Sequence, residues 1–124
     1  MNIVDSCAWL AFFADEPNAK FFQAPLTDSD SLIIPSITIY EVFKVVMRES
    51  NEKEAIQAIA AMQRGAVVDL TADLAINASR LSLTHNLPMA DSIILATAYA
   101  YEATLWTQDL DFENIEGVKF FQKF

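Results

Sequence analysis

Two glycines and one cysteine among 124 residues exclude whole classes of site before any motif is sought. A phosphate-cradling P-loop and a dinucleotide-binding fingerprint each need several glycines at fixed spacing, and this chain cannot supply them. A single thiol, Cys7, excludes a disulfide framework and a thiol-rich metal site. Positive charge is also scarce: 8 Lys and Arg stand against 17 Asp and Glu, for a net charge of −9. Such a chain is a poor non-specific binder of nucleic acid. That argues against a simple DNA- or RNA-binding module, and less against a nuclease that holds metal ions. No apolar run approaches the ~18 residues of a membrane span, and no basic stretch leads into a long apolar one at the N-terminus. The chain therefore reads as a soluble cytoplasmic protein with no membrane partner.

What is abundant is apolar surface. Hydrophobic residues make up 53% of the chain, more than one small core needs, so part of the surplus is expected in an interface with a second copy or another partner. The length fits one domain, residues 1–124. Short apolar strands alternate with helical segments. Strands are expected at residues 2–5, 32–34, 66–70, 105–107 and 118–121. Helices are expected from Cys7 to Ala14, over 17–24 with Pro17 at the start, from a Ser36 cap to about Glu49, and from Asn51 or Glu52 to about Arg64. Two more follow, over 72–85 with Thr71 as cap and from Pro88 to about Glu102. This order predicts an α/β fold with a mainly parallel sheet of four to five strands and helices on both faces. In such sheets ligands bind beyond the carboxyl ends of the strands.

Four carboxylates occupy apolar contexts. Asp5 ends Met1-Asn2-Ile3-Val4, Glu41 lies within Ile37-Thr38-Ile39-Tyr40-Glu41-Val42-Phe43, Asp91 precedes Ser92-Ile93-Ile94-Leu95-Ala96, and Asp109 follows Ala103-Thr104-Leu105-Trp106-Thr107. A buried carboxylate must be paired, protonated or bound to metal, because desolvating a bare charge costs several kcal/mol. With cations scarce, a divalent ion is the natural partner, and oxygen-only ligation points to Mg²⁺ or Mn²⁺. Each acid also has an ordinary reading. Asp5 could cap the first helix, although Ser6 could do so equally well. Glu41 could pair with Lys44 or Arg48, for only ~0.2–0.5 kcal/mol at i+3. Asp91 suits the positive end of a helix dipole, and Asp109 and Asp111 suit a turn. Cys7 reads as a small buried hydrophobe, and the lone His85 as a capping or surface residue.

Together the four segments resemble the PIN domain, and within it the VapC-type toxin ribonucleases of bacterial toxin–antitoxin pairs. Ile3-Val4-Asp5-Ser6 resembles the family's opening strand with its acid and small hydroxyl. Ile37-Thr38-Ile39-Tyr40-Glu41-Val42 resembles the helix that carries its glutamate. Leu87-Pro88-Met89-Ala90-Asp91-Ser92-Ile93-Ile94-Leu95-Ala96-Thr97-Ala98 is the strongest match, and Leu105-Trp106-Thr107-Gln108-Asp109-Leu110-Asp111-Phe112 resembles the strand-end segment with its Thr, acid and Asp-Phe. Gln108 stands where many relatives have a basic residue or Asn. The resemblance implies a PIN-like three-layer α/β/α sandwich and metal-dependent endonucleolytic cleavage of RNA. Asp5, Asp91 and Asp109 would ligate Mg²⁺ or Mn²⁺, and Glu41 would ligate a second ion or orient the attacking water. Asp109 is preferred to Asp111 as the fourth acid because it directly follows the strand. Ser6 and Thr107 would support the acids, with Asp111 beside them. Lys44 and Arg48, an i, i+4 pair on the Glu41 stripe, would contact RNA, or else pair with Glu41 and Glu49 or face solvent.

The resemblance further implies a homodimer and a cognate antitoxin protein, with Trp9, Phe12, Phe13, Phe21 and Phe22 marking a candidate groove unless the core claims them. The rival reading is a non-catalytic PIN-like protein-interaction module whose acids are caps and ion pairs. A small-molecule phosphatase lacks support, because the first strand has no Asp-x-Asp pair: residue 7 is Cys.

Overall fold

Side-chain alternation in the strands sorts the chain into three layers. In the computed structural model, which describes residues 1–123, the first strand β1 (Asn2–Val4) sends Ile3 to one face of the sheet and Val4 to the other. The second strand β2 (Leu32–Pro35) does the same with Ile33 against Leu32 and Ile34. This period of two is what the pleat dictates. Strands β3 (Ala66–Val68), β4 (Thr104–Thr107) and β5 (Val118–Phe120) complete a five-stranded sheet in the order β3-β2-β1-β4-β5, with every pairing parallel. The short central strands are buried on both faces, as a covered parallel sheet requires.

One face carries α1 (Ser6–Phe13), α2 (Ala19–Thr27), α3 (Ser36–Glu49) and α4 (Glu52–Met62), packed through Ala8, Trp9, Phe22, Val42, Ala58 and Met62. The other carries α5 (Ala72–His85) and α6 (Met89–Ala100), which bury Ile94, Leu95 and Ala98 beside Ile3, Ile33 and Leu105. In α6 the run from Ser92 to Ala98 is buried without a break, which explains its lack of a polar stripe. The three-layer α/β/α expectation holds, and all five strands are present. Among the described residues no helix is long and apolar enough to cross a membrane.

Several boundaries differ from the expectations. The second helix begins after Asn18 rather than at Pro17 and runs to Thr27, with Pro25 inside it. The Asn18 side chain does not cap the helix: its amide donates to Gln108 Oε1 (3.0 Å) and to the Gln122 carbonyl (3.1 Å), so a long-range contact claims it. Pro35 does not stop the second strand but belongs to it, in register with Val68. It also stands in the cap position of α3, where Ser36 was expected; Ser36 is already helical, and Thr38 donates its hydroxyl back to the Pro35 carbonyl (2.7 Å). The third strand ends at Val68, before the exposed Asp69 and Leu70. The fifth strand ends at Phe120, α4 at Met62 and α6 at Ala100. The Thr71 cap is as expected, its hydroxyl accepting from Leu74 N at 3.2 Å, and Asn51 opens α4 by accepting from Glu54 N at 2.8 Å.

Candidate metal centre

The strand order decides where the acids meet. From β1 the chain steps outward to β2 and β3, then returns to the other side of β1 for β4 and β5. The strand order therefore reverses between β1 and β4, and in such sheets ligands bind beyond the carboxyl ends of the strands at that point. Val4 is in register with Trp106, and Asp5 N donates to the Trp106 carbonyl at 2.9 Å. Asp5 and Asp109 thus leave neighbouring strands at the same edge. Asp91 lies in the first turn of α6, and Glu41 in the second turn of α3, which follows directly from β2.

One carboxylate oxygen from each of Asp5, Asp91 and Asp109 lies within 4.8 Å of the others. Asp5 is the deepest, 1% exposed; Asp91, Asp109 and Glu41 are half-buried. The two ordinary readings of Asp5 and Asp109 are both true and do not compete with the site. Asp5 Oδ1 accepts from Ser6 N (2.8 Å) as the cap of α1, while Oδ2 accepts from Thr107 Oγ1 (2.8 Å) and from Cys7 Sγ (3.2 Å). Asp109 Oδ1 accepts from Asp111 N (2.9 Å) and caps the 3₁₀ turn Leu110–Phe112. The fully buried Thr107 hydroxyl also accepts from Asp109 N at 3.0 Å, so one hydroxyl holds two of the acids in register. Ser6 Oγ donates to Glu41 Oε1 at 3.0 Å and ties the fourth acid to the same network.

Among the described residues no ion pair answers this charge. Glu41 pairs with neither Lys44 nor Arg48. Among the described residues the one ion pair is Arg48–Glu49 at 3.4 Å, well exposed, and Lys44 lies over the Tyr40 ring. Burial first, and then the neighbouring acids Asp5, Asp109, Glu41 and Asp111, raise Asp91 from the ordinary 3.8 to about 8. Burial raises Asp5 and Glu41 too. The Thr107, Cys7 and Ser6 hydrogen bonds oppose the rise at Asp5, and the Ser6 hydroxyl opposes it at Glu41. Three converging oxygens with costly unpaired charge fit a hard divalent cation, which would keep them ionised at neutral pH.

Asp91 gives a pH prediction. In the metal-free protein the folded state retains a proton between about pH 4 and 8 that the unfolded chain releases, so its contribution to stability falls as pH rises through that window. Asp5 and Glu41 shift in the same direction. Thermal melts in EDTA should show a lower Tm at pH 8 than at pH 5, and the rise produced by Mg²⁺ should grow over the same interval. A metal-induced rise of equal size at both values would count against this assignment.

Asp111 contributes its backbone amide, while its exposed carboxylate stands outside the three-oxygen group. Cys7 is the correction. It is not a buried hydrophobe but a half-buried thiol that donates to Asp5 and lies 3.5 Å from Thr107 Oγ1; burial, and then the Asp5 charge, push it above the ordinary thiol range. Gln108 is buried, its Oε1 accepting from the Asn18 amide. Sequence reading missed the Asn18–Gln108 contact, and nothing local to either residue signals it. Of the apolar groove candidates, Trp9 and Phe22 are core, Phe12 is exposed, and Phe13 lines a cleft of about 600 Å³ with Leu10, Val45, Val46 and Ala58.

A family model described as the PIN domain matches residues 3–118. No curated protein matches the chain. Among solved structures, a toxin–antitoxin complex from Klebsiella pneumoniae is similar at 25% identity and a TM-score of 0.83, over 98% of this chain and 99% of that one. A Mycobacterium tuberculosis VapC toxin that cleaves the sarcin–ricin loop is similar in fold, with 20% identity and a TM-score of 0.78 over 94% of this chain and 95% of its own. VapBC2 from Rickettsia felis, bound to promoter DNA, follows at 16% and 0.74, over 98% and 97%.

Proposed function

The chain belongs to the PIN domain family, and on that premise we propose that it is a Mg²⁺- or Mn²⁺-dependent endoribonuclease, the toxin of a VapBC-type toxin–antitoxin pair. The observation that carries this reading is the convergence of Asp5, Asp91 and Asp109 at one strand edge with no ion-pair partner among the described residues. Likeness to a toxin–antitoxin complex over almost the full length of both chains supports the biological setting.

In this reading Asp5, Asp91 and Asp109 hold the ion. When bound there, a dication would supply polarisation of the phosphoryl oxygen, activation of water and neutralisation of charge on the leaving oxygen. Glu41, held by Ser6 Oγ, orients the attacking water. Thr107 keeps Asp5 and the Asp109 backbone in fixed relation, so the ligand oxygens are arranged before substrate arrives. No covalent nucleophile is required. Lys44 and Arg48 lie on the exposed face of α3, and Lys44, which has no carboxylate partner among the described residues, is the better candidate for a phosphate contact.

The antitoxin is assigned to the cleft between α1, α3 and α4. Its floor is apolar and Glu16, Glu49 and Glu54 lie along it, which suits an amphipathic helix with basic flanks. A homodimer and a cytoplasmic location complete the proposal.

The test is incubation of purified protein with total RNA, with Mg²⁺ or Mn²⁺ and with EDTA. Discrete fragments that appear only with metal are expected. Intact RNA under every condition, together with no metal-dependent rise in Tm, would shift the assignment to a non-catalytic interaction module.

A further inference from the structure

Three large apolar side chains stand exposed within two residues of the acids. Tyr40, 60% exposed, precedes Glu41; Met89, 73% exposed, opens the helix that carries Asp91; Leu110, 67% exposed, follows Asp109. Single exposed apolar residues are ordinary. These three come from α3, α6 and the loop after β4, the elements that carry Glu41, Asp91 and Asp109 to the site. On α3, Lys44 lies one turn beyond Tyr40 and holds its ammonium 5.6 Å from the ring centroid. The ring is thus braced on one side and largely open to solvent.

Charge is a poor means of attraction here. The net charge is −9, the centre is a cluster of acids, and Arg48 is engaged by Glu49. An unpaired nucleobase, by contrast, offers a π face that stacks on an aromatic ring without needing cations. A base inside a duplex has both faces covered and cannot do this.

Building on the ribonuclease reading above, we propose that Tyr40, braced by Lys44, is a stacking platform for an unpaired base next to the scissile phosphate, with Met89 and Leu110 completing an apolar rim, so that the site selects single-stranded RNA by its bases. Tyr40 is then a substrate-binding residue that plays no part in holding the metal.

The experiment compares wild type, Tyr40→Ala and Tyr40→Phe on a fluorogenic single-stranded oligoribonucleotide, on the same strand annealed to its complement, and across a NaCl titration. Sedimentation of each variant is run in parallel. Tyr40→Ala should lower kcat/KM about tenfold, equivalent to about 1.4 kcal/mol, mainly through KM, and Tyr40→Phe should restore it. The duplex should be cut at least tenfold more slowly. The salt dependence should be shallow, with a log–log slope weaker than about −1.4, the value for two neutralised phosphates on a single strand.

Equal cleavage by wild type and Tyr40→Ala overturns the platform while leaving the ribonuclease reading intact. So does equal cleavage of duplex and single strand, or a steep salt slope. Loss of activity that coincides with dissociation of a dimer makes Tyr40 an interface residue and overturns it as well. No cleavage by wild type with either metal overturns the ribonuclease reading itself, and the platform with it.

Discussion

Asp5→Asn should reduce metal-dependent RNA cleavage by far more than 100-fold and abolish the Mg²⁺-induced rise in Tm, while the protein stays folded. The size follows from where Asp5 sits. Loss of a group that merely supports a metal ligand typically costs 10–100-fold, and Asp5 is itself one of the three converging carboxylates, the most deeply buried of them. The substitution keeps the shape but removes the charge that makes the pocket attractive to a dication. It should not unfold the chain. Asn is also a good helix cap, so the bond from Ser6 N can persist, and burying a neutral amide is less costly than burying a carboxylate whose affinity for a proton is already raised. The measurement pairs RNA cleavage with melts in EDTA and in Mg²⁺. A variant that kept full metal-dependent activity would remove Asp5 from the site.

Phe112→Ala should lower stability by about 3–5 kcal/mol, the usual range for truncating a buried aromatic side chain, and Tm by on the order of 10–20 °C for a domain of this size. Phe112 is fully buried in the α6-side core with Ile3, Leu95, Leu105 and Ile115. It also ends the 3₁₀ turn that Asp109 caps, and its amide donates to the Asp109 carbonyl at 3.1 Å. Core burial and the placement of a site acid therefore depend on one side chain. Urea titration at low temperature gives the stability change, and Mg²⁺ titration of the folded fraction should show weaker binding. A Tm within a few degrees of wild type would mean that the turn is held by other contacts.

Much of the fold could be read along the chain because it is encoded locally. Apolar runs of three or four residues, Thr71 and Asn51 as caps, and the buried run from Ser92 to Ala98 are short-range signals, and their positions agree with the structure to within a few residues. At two helix starts the structure departs from the local preference. Asn18 stands in the cap position of α2, but its side-chain amide is held by Gln108 and the Gln122 carbonyl and does not cap the helix. Ser36 lost the cap position to Pro35 because the helix starts at the very end of its strand.

The same division applies to the candidate site. The sequence by itself determined which acids were out of place, because a carboxylate within an apolar run is costly wherever the chain folds. It also determined that few cations could compensate them. Only the tertiary structure decided which acids share a centre. Asp109 and Asp111 both lie just past the fourth strand, and the turn brings Asp109 toward Asp5 while Asp111 offers only its amide. Only the tertiary structure turned Cys7 and Thr107 into neighbours of Asp5, tied Ser6 to Glu41, and turned Gln108 inward. These contacts span 35 to 102 residues, Cys7–Asp5 apart. The sheet order sets β1 between β2 and β4 and so brings the elements that follow them together, and strand order is a property of the packed core that no local stretch of sequence carries.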